Sequence, residues 1–175
     1  MNSKNKTIVL GGGCFWCIQA IFDMFNGIVK TTPGYAGGHT KNPTYEQVCS
    51  DGSGHAEVVE VAYNEQIIGL DAILDIFFEV HDPTSLNRQG ADIGTQYRSI
   101  ILFNDDADMQ KILQFIRNKQ KNYTAKIVTE VKKLDIFYPA ENYHMDYYNK
   151  NRSNPYCNAV IGPKIQKIKK KYNIK

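Results

Sequence analysis

The run Gly-Gly-Gly-Cys-Phe-Trp-Cys at residues 11 to 17 contains two of the four cysteines in the chain. Cys14 stands between a glycine turn and the predicted start of a helix. Unpaired backbone N–H groups and the helix dipole favour an anion at such a point, so we expect the Cys14 thiolate to be stabilised. That placement suits a nucleophile, but a buried cysteine can equally be a small apolar packing residue. Position alone leaves both interpretations open.

Cys14 and Cys17 together form a Cys-x-x-Cys pair. The pair is compatible with a thioredoxin-type redox couple, with half of a metal site, or with a nucleophile beside an incidental neighbour. Metal binding is the least favoured, because Cys49, Cys157 and the four histidines supply no second pair of ligands, and we expect no metal. In the other two interpretations Cys14 is the attacking thiol.

Glu57 ends the run Gly-His-Ala-Glu at residues 54 to 57 and stands at the entry to a predicted strand. If its carboxyl projects into a cleft, burial raises its pKa and makes it a good general acid. A solvent-facing glutamate at a strand edge is the alternative. Asp92 lies in an aperiodic loop of a length that is often functional in a compact domain. Tyr45 and Tyr97 could supply phenolic donors, although any one of eleven tyrosines is more often a packing residue.

Phe15 and Trp16 follow the nucleophile candidate directly. Phe15 belongs to an apolar stripe at helical spacing, which predicts a core position. Trp16 lies off that stripe, so it either packs in the core or borders a pocket.

The elements that must position these residues follow from periodicity and turn signals. We predict strands over residues 6–10, 28–35, 58–63, 97–103 and 126–132, and helices from residue 14 to about 25 and over 45–49, 71–80 and 105–123. Their order predicts an α+β fold: a two-layer α/β sandwich with helices on one face of a mixed sheet and a split βαβ, ferredoxin-like core. Residues 135–163, rich in Tyr, Asn and Pro, are expected to form a long irregular segment.

Length and composition predict a single domain over residues 1–175, with a catalytic core at about 6–163 and a lysine-rich tail at 164–175. We expect the tail to be a solvated helix rather than a nucleic-acid site, because its basic residues are not interleaved with aromatics. Its lysines are Lys164, Lys167, Lys169, Lys170, Lys171 and Lys175. No apolar run is long enough to span a membrane and no signal peptide is evident, so we expect a cytoplasmic protein with reduced thiols.

Four runs occur in order along the chain: Gly-Gly-Gly-Cys-Phe-Trp-Cys, Gly-Tyr-Ala-Gly-Gly at 34–38, Gly-His-Ala-Glu, and Gly-Thr-Gln-Tyr-Arg-Ser at 94–99. Together with Tyr-Pro-Ala-Glu-Asn-Tyr-His at 138–144, they closely resemble the A-type peptide methionine sulfoxide reductases. The resemblance extends from about residue 8 to residue 164. It implies reduction of the S epimer of methionine sulfoxide, free and in proteins, as a repair of oxidised proteins.

The resemblance also implies the roles of individual residues. Cys14 would attack the sulfoxide sulfur and Glu57 would protonate the sulfoxide oxygen, while Tyr45 and Tyr97 would hydrogen-bond that oxygen or a nearby water. Asp92 would help to shape the same pocket. The substrate-binding residues would be Phe15, Trp16, Gly13 and His55, of which the two aromatics hold the substrate methyl group and Gly13 acts through its backbone.

Attack would leave a sulfenic acid on Cys14, which condenses with a second thiol to a disulfide. We expect Cys157 to be that resolving thiol, because Asn-Pro-Tyr-Cys lies in a flexible, turn-prone segment. Cys17 is the alternative, although two residues within one helical turn point along different azimuths and would need local unwinding to bridge. Cys49 is expected to be structural. We expect a monomer with thioredoxin as the external reductant and no cofactor, nucleic-acid partner or membrane.

Overall fold

The computed structural model describes residues 5–50 and 52–174. Six strands form one mixed sheet in the order β7-β6-β1-β3-β2-β8, in which only the β6–β7 pair is parallel. A hairpin of two short strands, β4 and β5, stands apart from it. The strands are β1 (Asn5–Gly11), β2 (Ile28–Ala36), β3 (Ala56–Asn64), β4 (Arg88–Gln89), β5 (Asp92–Ile93), β6 (Ile100–Phe103), β7 (Glu130–Lys133) and β8 (Phe137–Pro139).

The described residues form six α-helices that connect or cover these strands: α1 (Phe15–Phe22), α2 (Tyr45–Cys49), α3 (Leu70–Val80), α4 (Asp106–Gln120), α5 (Tyr147–Lys150) and α6 (Gly162–Tyr172). The units β1-α1-β2 and β3-α3-β6 interleave, because β3 lies between β1 and β2 while β1 lies between β3 and β6. The predicted α+β class is confirmed, with two β-α-β connections that share one sheet.

The main core lies between one face of the sheet and the helices. Alternate residues of each strand enter it, as Ile8 and Leu10 do on β1 and Val59 and Val61 on β3. Residues between them, such as Val9, face the other side of the sheet, where a smaller apolar cluster forms. Because side chains alternate along a strand, the odd-numbered residues of β3 share the helix-covered face. Glu57 is one of those residues and therefore points towards α1.

Several boundaries differ from those predicted. The strand predicted from residue 97 begins only at Ile100, because Thr95–Tyr97 forms a 3-10 turn in which the Tyr97 N–H donates to the Gly94 carbonyl. The strand predicted over 126–132 is β7, four residues at the sheet edge, and α4 is shorter than predicted at both ends. Helix α4 begins at Asp106 because Asp105 caps it, with its side chain accepting the Ala107 N–H at 2.9 Å.

The segment 135–163 is less irregular than predicted. Its first part forms β8, which pairs with β2, and its middle contains the short helix α5. At its end, Cys157–Ile161 forms a π-helical turn that leads directly into α6. The segment wraps the α1 side of the sheet because its aromatic side chains pack against the main core, which composition alone does not specify.

The lysine-rich stretch is a helix, as predicted, but not a free tail. Helix α6 contacts α1 and α3, and its Ile165 and Ile168 are buried in the main core. The lysines occupy the outer face, where Lys171 Nζ lies 2.6 Å from Glu79 Oε1. Lys175 lies outside the described residues. Within the part of the chain that the structure describes, we find no helix with the length and apolar character needed to cross a bilayer.

Candidate active site

A cavity of about 300 Å³ opens beside the start of α1. It brings together side chains that are far apart in the sequence, from β3, β5, the α1 and α2 starts and the C-terminal segment. Its lining residues are Cys14, Phe15, Trp16, Tyr45, Glu57, Asp92, Tyr97, Tyr147, Asn154 and Tyr156. Seven of these are residues that the sequence analysis assigned to catalysis or substrate binding.

Close packing fixes the backbone conformation of the turn before Cys14. Gly13 has a φ of +92°, which an L side chain rarely adopts, and an added Cβ would lie 2.9 Å from the Gln89 Cβ. The Gly13 N–H donates to the Tyr97 carbonyl at 3.1 Å. The backbone of this turn thereby ties the nucleophile candidate to the loop that carries Tyr97. Gly13 acts through its backbone and does not line the cavity.

Cys14 is the N-cap residue of α1, with an extended backbone. The expected stabilisation of its thiolate is wrong for this structure. Burial raises the pKa of Cys14 well above its ordinary value, and the neighbouring Cys17 and Glu57 raise it further, against the opposing effect of the Trp16 amide. Desolvation of the buried sulfur therefore outweighs the hydrogen bond from the Trp16 amide. Its surroundings therefore favour the thiol form of Cys14.

Glu57 approaches the first turn of α1 from strand β3. Its carboxylate oxygen Oε2 accepts the Phe15 N–H at 3.1 Å, and the residue is 2% exposed. Burial raises the Glu57 pKa to about 8, and the charge of Asp92 acts in the same direction. The predicted buried acid is thus present beside Cys14. At neutral pH it is a carboxylic acid that can donate a proton.

Tyr45 and Tyr97 place two phenols at the same cavity. Burial raises the pKa of each hydroxyl, and the nearby Glu57 adds to the effect on both. Each phenol therefore keeps its proton and serves as a hydrogen-bond donor at any physiological pH. Tyr45 is the first residue of α2, which Thr44 caps through a reciprocal pair of hydrogen bonds with Gln47.

Asp92 closes the side of the cavity formed by the short hairpin. The Tyr156 hydroxyl donates to Asp92 Oδ2 at 2.6 Å. This bond joins β5 to the C-terminal segment across the cavity wall. Tyr156 is a site residue that the sequence analysis did not identify, because an isolated tyrosine in an aperiodic segment gives no signal.

The apolar wall is built from aromatic rings. Phe15 is 1% exposed, as its place on the apolar stripe predicted. Trp16 is half-buried and stacks on Tyr147, with ring centroids 3.7 Å apart and planes 6° from parallel. The predicted alternative in which Trp16 borders a pocket is therefore the correct one. Its indole N–H donates to His144 Nδ1 at 3.0 Å, which fixes the ring.

Glu141 organises the opposite side of the site. Its Oε1 accepts the Tyr45 N–H at 2.9 Å, and its Oε2 accepts the Tyr35 hydroxyl at 2.7 Å. Tyr35 is the register partner of Glu57 on β2. Glu141 and His144 both belong to the Tyr-Pro-Ala-Glu-Asn-Tyr-His run, which contributed to the family resemblance but received no role. Glu141 and His144 of that run hold Tyr45 and Trp16 in place through hydrogen bonds.

His55 is not brought to this cavity, contrary to its predicted role in substrate binding. Its Nδ1 accepts the Gly38 N–H at 3.1 Å and its Nε2 lies 2.8 Å from the Thr40 carbonyl oxygen. His55 precedes β3, and the loop 37–40 folds over it and occupies both of its ring nitrogens. His55 anchors that loop.

Contrary to the prediction, Cys157 does not lie in a flexible segment. It is fully buried in the π-helical turn before α6. Cys14 is the N-cap of α1 and Cys17 is its third residue, and the Cys17 N–H donates to the Cys14 carbonyl at 3.1 Å. Among residues 5–50 and 52–174, no three His, Cys, Asp or Glu side chains cluster as metal ligands would.

A buried thiol, a neutral carboxylic acid and two phenols at one aromatic-walled cavity define a thiol-dependent oxidoreductase. A family profile described as peptide methionine sulfoxide reductase matches residues 6–175. The peptide methionine sulfoxide reductase MsrA of Saccharolobus solfataricus is 52% identical over 165 residues, which cover 94% of this chain and 93% of the relative. The chain belongs to the A-type peptide methionine sulfoxide reductases, the peptide-methionine (S)-S-oxide reductases.

Solved structures agree with this assignment. Mxr1 from Saccharomyces cerevisiae in reduced form has a TM-score of 0.84 and 36% sequence identity, covering 90% of this chain and 91% of that chain. Mxr1 has also been solved in complex with Trx2, with a TM-score of 0.60, 29% identity and coverage of 84% of this chain and 87% of that chain.

Proposed function

We propose that this enzyme reduces the S epimer of methionine sulfoxide, both free and within oxidised proteins, and so repairs them. The observation that carries the proposal is the meeting of the Cys14 thiol with the neutral carboxyl of Glu57 at one cavity. A sulfoxide oxygen is a poor leaving group until it is protonated. Nucleophile and acid must therefore reach adjacent atoms of the substrate at the same time.

The substrate methyl group packs against the wall of Phe15 and Trp16, and the sulfoxide oxygen points towards Glu57. Tyr45 and Tyr97 donate hydrogen bonds to that oxygen or to a water beside it. These donors stabilise the charge that develops as the sulfur–oxygen bond weakens. Because the sulfoxide sulfur is a stereocentre, one epimer alone can place methyl group and oxygen against their partners with the sulfur facing Cys14.

Cys14 attacks the sulfoxide sulfur as Glu57 protonates the oxygen, and the thiol proton replaces the one that Glu57 gives up. The oxygen passes to Cys14, and the products are methionine and the Cys14 sulfenic acid. The sum, a thiol and a sulfoxide giving a sulfenic acid and a thioether, balances in atoms and electrons. The sulfenic acid then condenses with a second thiol, for which Cys17 and Cys157 are the candidates.

Reduction of the resulting disulfide returns the enzyme to its thiol form. We propose thioredoxin as the reductant, which is supported by the solved complex of a related chain with Trx2. Cys14 is the cysteine that lines the cavity, so a dithiol can reach its sulfur once methionine has left. Exchange at that sulfur transfers the disulfide to the reductant.

The test follows methionine release from each epimer of N-acetyl-methionine sulfoxide and of free methionine sulfoxide, with thioredoxin, its reductase and NADPH. We expect turnover of the S epimers alone and no turnover by Cys14→Ser. The circular dichroism spectrum of the variant checks that it is folded. Turnover by folded Cys14→Ser at the wild-type rate, or equal turnover of both epimers, would overturn the proposal.

A further inference from the structure

The sulfur of methionine sulfoxide carries three substituents: the methyl group, the oxygen and the methylene group that leads to the main chain. In the proposed complex, six of the ten residues that line the cavity meet the sulfur, the methyl group or the oxygen. They are Cys14, Phe15, Trp16, Tyr45, Glu57 and Tyr97. The methylene group must therefore leave past the other four, which are Asp92, Tyr147, Asn154 and Tyr156. The substrate main chain lies on their side of the cavity.

Two of these four side chains are already bound to each other. The Tyr156 hydroxyl donates its proton to Asp92 Oδ2 at 2.6 Å, so that proton is not available to a substrate. Tyr147 and Asn154 then supply the hydrogen-bond donors on this side, one as a phenol and the other as a side-chain amide.

The amide of Asn154 has a fixed orientation. Its Oδ1 accepts the Tyr156 N–H at 2.9 Å, which the amide nitrogen could not do. Its Nδ2 lies 3.4 Å from the Tyr147 hydroxyl oxygen, beyond the roughly 2.7–3.2 Å of a typical N–H···O bond. Because Nδ2 carries two N–H groups and this contact is long, Asn154 retains donor capacity towards the cavity.

The Tyr147 ring is held by its stacking on Trp16, the indole that forms the methyl wall. Tyr147 is the first residue of α5, and α1 holds the start of that helix because the Asp146 N–H donates to Gln19 Oε1 at 3.0 Å. The Tyr147 hydroxyl accepts the long contact from Asn154 and still has its own proton to donate. Its distance from the reacting sulfur is therefore set by rigid neighbours.

Two donors at this separation can both reach a single oxygen that lies about 2.9 Å from each of them. A carbonyl oxygen has two lone pairs and can accept both hydrogen bonds. Main-chain carbonyls adjoin the Cα of a methionine sulfoxide on both sides in a peptide. The group that the Tyr147 and Asn154 pair fits best is thus a main-chain carbonyl of the substrate.

We propose that Tyr147 and Asn154 form a main-chain binding site, in which the hydroxyl and the amide N–H donate to one backbone carbonyl oxygen of the substrate. The carbonyl belongs to the methionine sulfoxide itself or to the residue before it. This inference rests on the proposed function, because the orientation of the bound sulfoxide defines where the main chain lies. The site makes the enzyme favour sulfoxides within peptides over simple alkyl sulfoxides.

The experiment compares kcat/KM for four sulfoxides with the same S configuration at sulfur. N-acetyl-methionine sulfoxide N-methylamide has both carbonyls, and methyl propyl sulfoxide has neither. Methionine sulfoxide N-methylamide has only the carbonyl of the residue itself, and N-acetyl-3-(methylsulfinyl)propylamine has only that of the preceding acyl group. Each substrate presents the same methyl group, sulfur and oxygen to the catalytic residues, so differences between them report on the main chain.

Two variants remove one donor each. Tyr147→Phe removes the hydroxyl and keeps the ring that stacks on Trp16, and Asn154→Asp keeps an oxygen for the Tyr156 N–H and removes the Nδ2 donor. We expect each to lower kcat/KM for the substrate with both carbonyls, relative to methyl propyl sulfoxide, by about three- to tenfold, the usual effect of one hydrogen bond. Tyr148→Phe is the matched control, since Tyr148 follows in α5 but does not line the cavity, and it should leave the ratio unchanged.

The substrates with a single carbonyl show which one is bound, because its substrate alone loses its advantage in the variants. A ratio that stays at the wild-type value in Tyr147→Phe and Asn154→Asp would overturn the inference, even if all rates fell together, since a purely structural role lowers them alike. A wild type that turns over none of the four sulfoxides contradicts the proposed function. Turnover with an unchanged ratio in the variants contradicts only the role of Tyr147 and Asn154.

Discussion

In the proposed mechanism Glu57 must be neutral when it protonates the sulfoxide, so the pH dependence of the chemical step should follow the Glu57 pKa. Burial holds that pKa at about 8, against 4.5 for an ordinary glutamate. The acid form is therefore kept below pH 8 and lost as the pH rises through it. Cys14 remains a thiol over this range because its own pKa is raised well above 9.0.

The size of the effect follows from the titration of one group. With a pKa of about 8, roughly nine-tenths of the enzyme carries neutral Glu57 at pH 7 and roughly one-tenth at pH 9. The single-turnover rate should be level below neutrality and fall about tenfold per pH unit beyond the pKa. Removal of the acid in Glu57→Gln should slow the step by about 10²–10⁴-fold, the usual contribution of general acid catalysis.

The assay measures methionine released in one turnover by rapid quench, which excludes disulfide recycling from the observed rate. Glu57→Gln should lose both the rate and the descending limb near pH 8. Glu60→Gln is the matched control, since Glu60 lies on the same strand with its side chain on the other face. We expect it to retain the wild-type rate and profile.

A rate that rises from pH 7 to pH 9 would refute the reasoning, because it would mean that ionisation of Cys14 limits the step. A descending limb that persists unchanged in Glu57→Gln would assign the titration to another group.

Four further predictions concern stability and binding. Glu57→Gln should unfold at a higher temperature than the wild type, by a margin that grows from pH 5 to pH 8, because over that range the unfolded chain ionises Glu57 and the folded chain does not. Gly13→Ala should lose about 1–3 kcal/mol of unfolding free energy in urea titrations and reduce turnover, because its φ is +92° and the turn presents Cys14. Trp16→Ala should raise KM for N-acetyl-methionine sulfoxide, whereas an unchanged KM would remove it from the substrate wall. Ile168→Ala should cost about 2–5 kcal/mol in the same titrations and Lys170→Ala almost nothing, since only the isoleucine is buried.

Much of the site was predictable from short runs of sequence. The glycine turn before Cys14 and the place of Glu57 at a strand start each have a local cause in backbone conformation or strand alternation. The side-chain pattern also predicted the buried Phe15. These features depend on residues close together in the chain, where spacing and residue type carry the information.

The ionisation state of Cys14 was not predictable in the same way. The position of Cys14 at a helix start is a local property, but the burial that raises its pKa comes from the packing of distant segments. The role of Tyr156 depends on Asp92, 64 positions away. The burial of Cys157 likewise depends on the packing of α6 against α1 and α3. The lysine-rich composition of α6 does not predict that packing. Long-range contacts of this kind leave no periodic signal in one sequence.

The most direct test of the central claim uses a Cys17→Ser, Cys157→Ser double variant, in which neither candidate thiol can condense with an oxidised Cys14. The variant is mixed with one equivalent of the S epimer of N-acetyl-methionine sulfoxide and with dimedone, and the products are measured by mass spectrometry. We predict one methionine per chain and a dimedone adduct on the peptide that contains Cys14. Methionine formed without modification of Cys14, or an adduct on any other residue, would contradict the account.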